Sequence, residues 1–149
     1  MRPTILNNLT KKTFLAVFAL LIMFSFNAIA KKADFLISSV VPAARGFAKI
    51  TRDKNKNYAI KIHISGLAEV QRLQSSKQAY VVWMVTDQET TKNIGQINSS
   101  SGVLSKKLKA TFQTISSFRP VKFFITAEDE ANIQYPGTQI ILTTDRFWD

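Results

Sequence analysis

The sequence predicts an all-β fold: an immunoglobulin-like antiparallel sandwich of two sheets with seven or eight strands. Three observations predict it. Tyr58, Ile60, Ile62 and Ile64 alternate with Ala59, Lys61, His63 and Ser65, the period of a strand with one buried face. Ala79 to Thr86 reads Ala-Tyr-Val-Val-Trp-Met-Val-Thr, apolar on both faces and rich in β-branched and aromatic residues, as a strand covered on both sides would be. Turn-forming clusters recur between such runs, the spacing of a sandwich or barrel.

The first thirty residues read as an export signal. Arg2, Lys11 and Lys12 give a positive start, Phe14 to Phe24 is an unbroken apolar run, and Ala28-Ile29-Ala30 is a small-x-small cleavage pattern. The alternative is an uncleaved membrane anchor. The 18 residues from Thr13 to Ala30 are near the lower limit for a span. Ser25 and Asn27 interrupt the far end, and lysines flank both sides, so charge gives no orientation. With no cysteine in the chain, a thiol-linked lipid anchor is excluded. Either reading places residues 31–149 outside the cytoplasm as one domain, periplasmic or secreted after cleavage and single-pass membrane-anchored without it.

Behind the signal, strands are expected at Phe35–Val41, Phe47–Thr51, Tyr58–Ile64, Ala79–Thr86, Lys92–Asn98, Lys107–Thr114, Val121–Glu128 and Gln139–Thr144. Pro42 and Gly46 separate the first two. Asp53-Lys54-Asn55-Lys56-Asn57 is a polar hairpin loop, and Ser99-Ser100-Ser101-Gly102 is another turn. Tyr135-Pro136-Gly137 leads into the last strand. One short helical turn is expected at Leu67 to Leu73. The terminal Phe147 and Trp148 are expected to pack back on the sandwich, because exposing two rings that could be buried is unfavourable by about a few kcal/mol.

Composition excludes several chemistries. Without cysteine there are no disulfides, thiol nucleophiles or thiolate metal sites. The formal net charge is +10; Arg2, Lys11 and Lys12 carry three of these charges, leaving seven on residues 31–149. Lys49, Arg52, Lys54, Lys56, Lys61, Lys106, Lys107 and Lys109 are spread over turns and strand faces. That distribution fits solubility and edge protection, and a basic exported domain can also meet anionic lipid or polysaccharide. No arginine stripe with interleaved aromatics marks a specific nucleic-acid surface.

Asp53, Asn55 and Asn57 copy the start of a calcium loop, but Tyr58 stands where the turn needs glycine and Ile64 where a bidentate glutamate is needed. No metal or cofactor is expected. Glu128-Asp129-Glu130 is the strongest acidic cluster, with Asp87 and Glu89 elsewhere. These five carboxylates are the candidate binding residues, although neighbours on a strand point to opposite faces and cannot converge without a turn. The single histidine, His63, lies mid-strand on a polar face, and no G-x-S-x-G motif accompanies it. No catalytic residue is assigned.

Four segments resemble the extracytoplasmic C-terminal domain of anti-sigma-K-factor-like proteins. They are Tyr80-Val81-Val82-Trp83-Met84, Asn93-Ile94-Gly95-Gln96-Ile97, Phe124-Ile125-Thr126-Ala127-Glu128 and Tyr135-Pro136-Gly137-Thr138. Together they span about residues 79–144. That family has a Tyr-x-x-Trp strand, a strand with glycine after an apolar residue, a strand ending in Thr-x-Glu and a proline-containing turn. The resemblance implies a β-sandwich sensor module outside a membrane. It offers no catalytic residues. The twelve residues before the apolar segment are too few for a sigma-binding helical domain, so direct sigma capture is not expected.

Tyr80, Trp83, Gly95, Phe124 and Pro136 are expected to be structural, with Trp83 anchoring the core between the sheets and Gly95 marking a bulge or a close approach beneath Trp83. The expected function is an exported, non-enzymatic, sensor-like binding module of the bacterial envelope. It would contact an envelope protein or a polyanionic glycan through end loops or by strand addition, and a membrane only if the N-terminal helix is retained. The alternative is a small secreted hydrolase or carbohydrate-processing domain using the acidic residues. That requires two carboxylates facing one cleft.

Overall fold

The computed structural model describes Thr13 and residues 30–73, 77–97 and 108–148. The expected export signal lies outside the described residues apart from Thr13 and Ala30, as do Asn98, the Ser99–Gly102 turn and Lys107. Eight strands follow in order: β1 (Ala30–Asp34), β2 (Arg45–Arg52), β3 (Tyr58–Leu67), β4 (Ala79–Thr86), β5 (Thr91–Ile97), β6 (Leu108–Ser116), β7 (Pro120–Glu128) and β8 (Ile140–Thr143). They form two four-stranded sheets, ordered β1-β2-β3-β6 and β5-β4-β7-β8, with every pairing antiparallel. The first sheet begins with three consecutive strands side by side, whereas an immunoglobulin constant domain orders its larger sheet A-B-E-D.

The alternation in β3 buries Ile60, Ile62 and Ile64, which meet Ala48 and Ile50 of β2 and Ala110 of β6 in one layer. Tyr80, Val82 and Met84 of β4, with Phe123, Ile125 and Ala127 of β7, supply the facing layer. The Tyr80 hydroxyl donates to the Ala68 carbonyl at 3.0 Å, and burial pushes its phenol up to about 12. Phe147 stacks on Phe123 with centroids 5.4 Å apart, so the aromatic tail does pack back.

The first strand differs from the expectation. It runs over Ala30–Asp34, and Phe35 makes only an isolated bridge to Thr144. Residues 36–41 form a loop in which Leu36, Ile37 and Val40 are exposed and the Ser38 hydroxyl accepts the Val41 N–H. The apolar run Phe35–Val41 resembles a strand, but a local serine bond competes with the ladder there. Lys31 and Lys32, read as flanks of the signal, are edge-strand residues. The expected helical turn shrinks to one 3₁₀ turn, Val70–Arg72, because β3 continues through a bulge to Leu67.

Trp83 requires a larger correction. It is fully buried, but on the outer face of the second sheet rather than between the sheets, alongside Val81. Its indole N–H donates to Thr126 Oγ1 at 2.7 Å, and its ring stacks on Phe124 at 6.1 Å. Asn93, opposite Trp83 on β5, donates to the carbonyls of Ala131 and Ile133 and draws the 129–139 loop over this face. Pro136, expected in the core, is exposed in that loop. A strand apolar on both faces thus has one face on the core and the other under a loop.

Gly95 does mark a bulge, since Val82 pairs with it while Trp83 pairs with Asn93. It lies under Phe112 of β6 and not under Trp83: with φ of +134°, a Cβ there would sit 2.8 Å from the Phe112 ring. This contact narrows the seam between β5 and β6. The opposite seam is closed by the Phe35–Thr144 bridge and the Leu36 N–H bond to Thr143 at 2.8 Å. Strand addition therefore finds both sheet margins partly occupied.

Candidate functional site

The outer face of the first sheet gathers positive charge through its register. Lys32 of β1 lies opposite Lys49 of β2, and Lys49 opposite Lys61 of β3. Directly opposed residues on neighbouring antiparallel strands have Cα atoms about 4.5–5.5 Å apart, so three ammonium stems stand in one row. Like charges placed this way are unfavourable. Lys32 is relieved by Asp34 at 2.8 Å and lies over the Phe47 ring at 4.8 Å. Lys49 and Lys61 are exposed, and neither has a carboxylate partner among the described residues.

Arg45 and Lys109 extend the charge toward the end of the sheet where Ser65 pairs with both. Against Lys32, Arg45, Lys49, Lys61 and Lys109, the described strands of this face carry the one carboxylate of Asp34. Two open hollows lie on it, of about 540 and 610 Å³. Lys49 and Lys61 flank one; Arg45, Phe47, His63 and Lys109 line the other. His63 packs on Phe47 with centroids 5.1 Å apart, and Thr111 Oγ1 lies 3.4 Å from its Nδ1. The arrangement can hold an extended anion across the strands, with an aromatic patch at one end.

The five acidic candidates do not form one site. Asp87 and Glu89 belong to the β4–β5 turn, whereas Glu128, Asp129 and Glu130 lie at the other end of the eight-residue strand β4, where Ala79 pairs with Glu128. At about 3.3 Å per residue the two groups are on the order of 25 Å apart. Glu89 holds Arg146 through two bonds, at 2.7 and 3.1 Å, and this hydrogen bonding keeps its carboxyl below the usual carboxylate range. Glu128 is buried and accepts the Gly137 N–H at 2.8 Å, fixing the loop over Trp83. Asp129 pairs with Lys77 at 2.8 Å, and Glu130 is exposed. The first three carboxylates named with partners act as structural ties. Glu128 and Asp129 do line one hollow of about 820 Å³, but each is already tied there, to the Gly137 N–H and to Lys77.

The Asp53–Asn57 loop is a hairpin: the Asp53 carboxylate accepts the Asn57 N–H at 2.8 Å, and Lys56 takes a left-handed φ of 66°. Among the described residues, no group of three or more histidine, cysteine, aspartate or glutamate side chains is placed to hold a metal. The loops named as contacts also separate, Asp53–Asn57 and Asp87–Thr91 at one end and Glu128–Gln134 at the other.

The lysine row was missed from sequence, yet its signal was present in part. Closing the loop at Arg52 and Tyr58 counts Lys49 directly opposite Lys61. Lys32 could not be added without the correct first strand. No family model, no curated protein and no solved structure matches the chain.

Proposed function

We propose that this chain is an exported, non-enzymatic, sensor-like binding module of the bacterial envelope that holds a polyanionic glycan on the outer face of its first sheet. The Lys32–Lys49–Lys61 row carries the reading. Opposed lysines such as Lys49 and Lys61 oppose folding slightly, and an anionic chain laid across them turns that repulsion into attraction. Contact rather than hydrolysis is supported by the partners of these carboxylates: Glu89, Glu128 and Asp129 are tied to Arg146, Gly137 and Lys77, and Asp87 and Glu89 lie far beyond the roughly 5–10 Å that paired carboxylates need from the other three.

The test is retention on an immobilised sulfated or uronic-acid glycan compared with a neutral glycan of equal length. Retention should fall as salt rises, since exposed charges are screened within about 8–10 Å at 0.1–0.15 M salt. It should also fall in Lys49→Gln and Lys61→Gln. Equal retention on the neutral glycan, or retention untouched by both substitutions, would sink the proposal. Capture of one acidic envelope protein in place of glycan would move the same face to a protein partner.

A further inference from the structure

The open end of the sandwich near the β2–β3 hairpin holds a second basic feature, independent of the lysine row. A cavity of about 450 Å³ is lined by Ile50, Arg52, Tyr58, Arg119 and Trp148. Its floor is the core side chain Ile50 and its walls include two aromatic rings. Arg52 lies over the Tyr58 ring at 5.7 Å, and Arg119 over the Trp148 ring at 5.2 Å. Lys31 approaches Trp148 as well, at 5.4 Å. None of these three cations belongs to an ion pair among the described residues, and no carboxylate lines the cavity. The Trp148 indole N–H is buried and has no acceptor among the described residues.

Two guanidinium groups lining one cavity with no carboxylate among the described lining residues are the chemistry of an oxyanion site, because arginine pairs with phosphate through parallel N–H bonds. Two positive charges in the lining match a doubly charged group better than one carboxylate. The rings and Ile50 offer an apolar surface to the carbon part of the ligand. We infer that this cavity binds a phosphate ester, with Arg52 and Arg119 on the phosphate oxygens and Tyr58 and Trp148 against its carbon skeleton. The phosphate belongs either to a soluble ester or to a phospholipid headgroup. The second source is suggested by Lys31, which follows the apolar run Phe14–Phe24 closely in sequence.

The chain has two tryptophans, and they make opposite reporters. Trp83 is sealed and hydrogen-bonded to Thr126, whereas Trp148 lines the cavity. The protein as recovered from the envelope is titrated with glycerol 3-phosphate, and separately with phosphatidylglycerol vesicles, while the two indole N–H resonances are followed. The expected result is a saturable shift of the Trp148 signal alone. A response to glycerol 3-phosphate assigns a soluble ester, and a response to vesicles only assigns the headgroup. Arg52→Gln and Arg119→Gln should each weaken binding by about tenfold or more, from loss of a charge-assisted bond. An unmoved Trp83 signal verifies that each variant is folded. If Arg119→Gln does not fold, Arg52→Gln at the exposed strand end decides alone. No shift with either probe, an equal shift with sodium chloride at matched ionic strength, or a shift surviving in the folded variants overturns the inference.

Discussion

Lys49 and Lys61 face each other across β2 and β3 with no carboxylate partner among the described residues. Replacing either with glutamine removes a like-charge pair and should stabilise the domain by about 0.2–1 kcal/mol. Urea denaturation should show a higher midpoint with an unchanged slope, in the same variants that lose glycan retention. A lower midpoint would mean the lysine stems contribute more by packing than they lose by repulsion.

Thr126 gives the Trp83 indole its acceptor within a fully buried site. Thr126→Val keeps the shape and orphans the N–H, which should lower stability by about 1–3 kcal/mol. Asn93→Ala should act on the same region by a different route, releasing the carbonyls of Ala131 and Ile133. Faster proteolysis within residues 129–139, with a red shift of tryptophan emission, is the expected readout for Asn93→Ala.

Gly95 carries both a left-handed φ and a close neighbour in Phe112. Gly95→Ala should lower stability by about 1–3 kcal/mol through strain and overpacking. Adding Phe112→Leu should recover only the packing part, because the backbone strain stays. Full recovery in the double variant would mean the bulge tolerates a side chain.

The Tyr80 phenol is raised from 10.0 to about 12 by burial. The folded protein therefore holds this proton where the unfolded chain releases it. The sign follows: the contribution is intact below pH 10 and is lost as pH rises from 10 toward about 12. Urea midpoints measured across that window should fall in the natural chain, and should fall less in Tyr80→Phe, which starts lower by about 0.5–1.5 kcal/mol through loss of the bond to Ala68.

The periodicity of Tyr58–Ile64 and the two-faced run Ala79–Thr86 made the sandwich legible, because burial of one or both faces is written directly into residue order. The first strand was not legible. Phe35–Val41 is more apolar than Ala30–Asp34, and only the pairing of Ala33 with Ala48 in the folded sheet reveals which segment takes the edge. Trp83 was misplaced for a related reason. Its strand demands cover on two faces, but sequence does not say whether a sheet or a loop supplies each. The candidate site was legible as separate lysines and illegible as a row, since a row exists only once register is fixed.

The seam at Phe35 and Thr144 joins the start of the described domain to its finish, and Lys31 and Phe147 lie beside that seam. Closure of this architecture thus waits until residues 143–147 have been synthesised. A chain stalled or truncated just short of Thr144 would keep almost all of its core residues and still present an unsealed edge. Such a product offers a template for aberrant self-association and a mark by which quality-control proteases could discriminate unfinished copies.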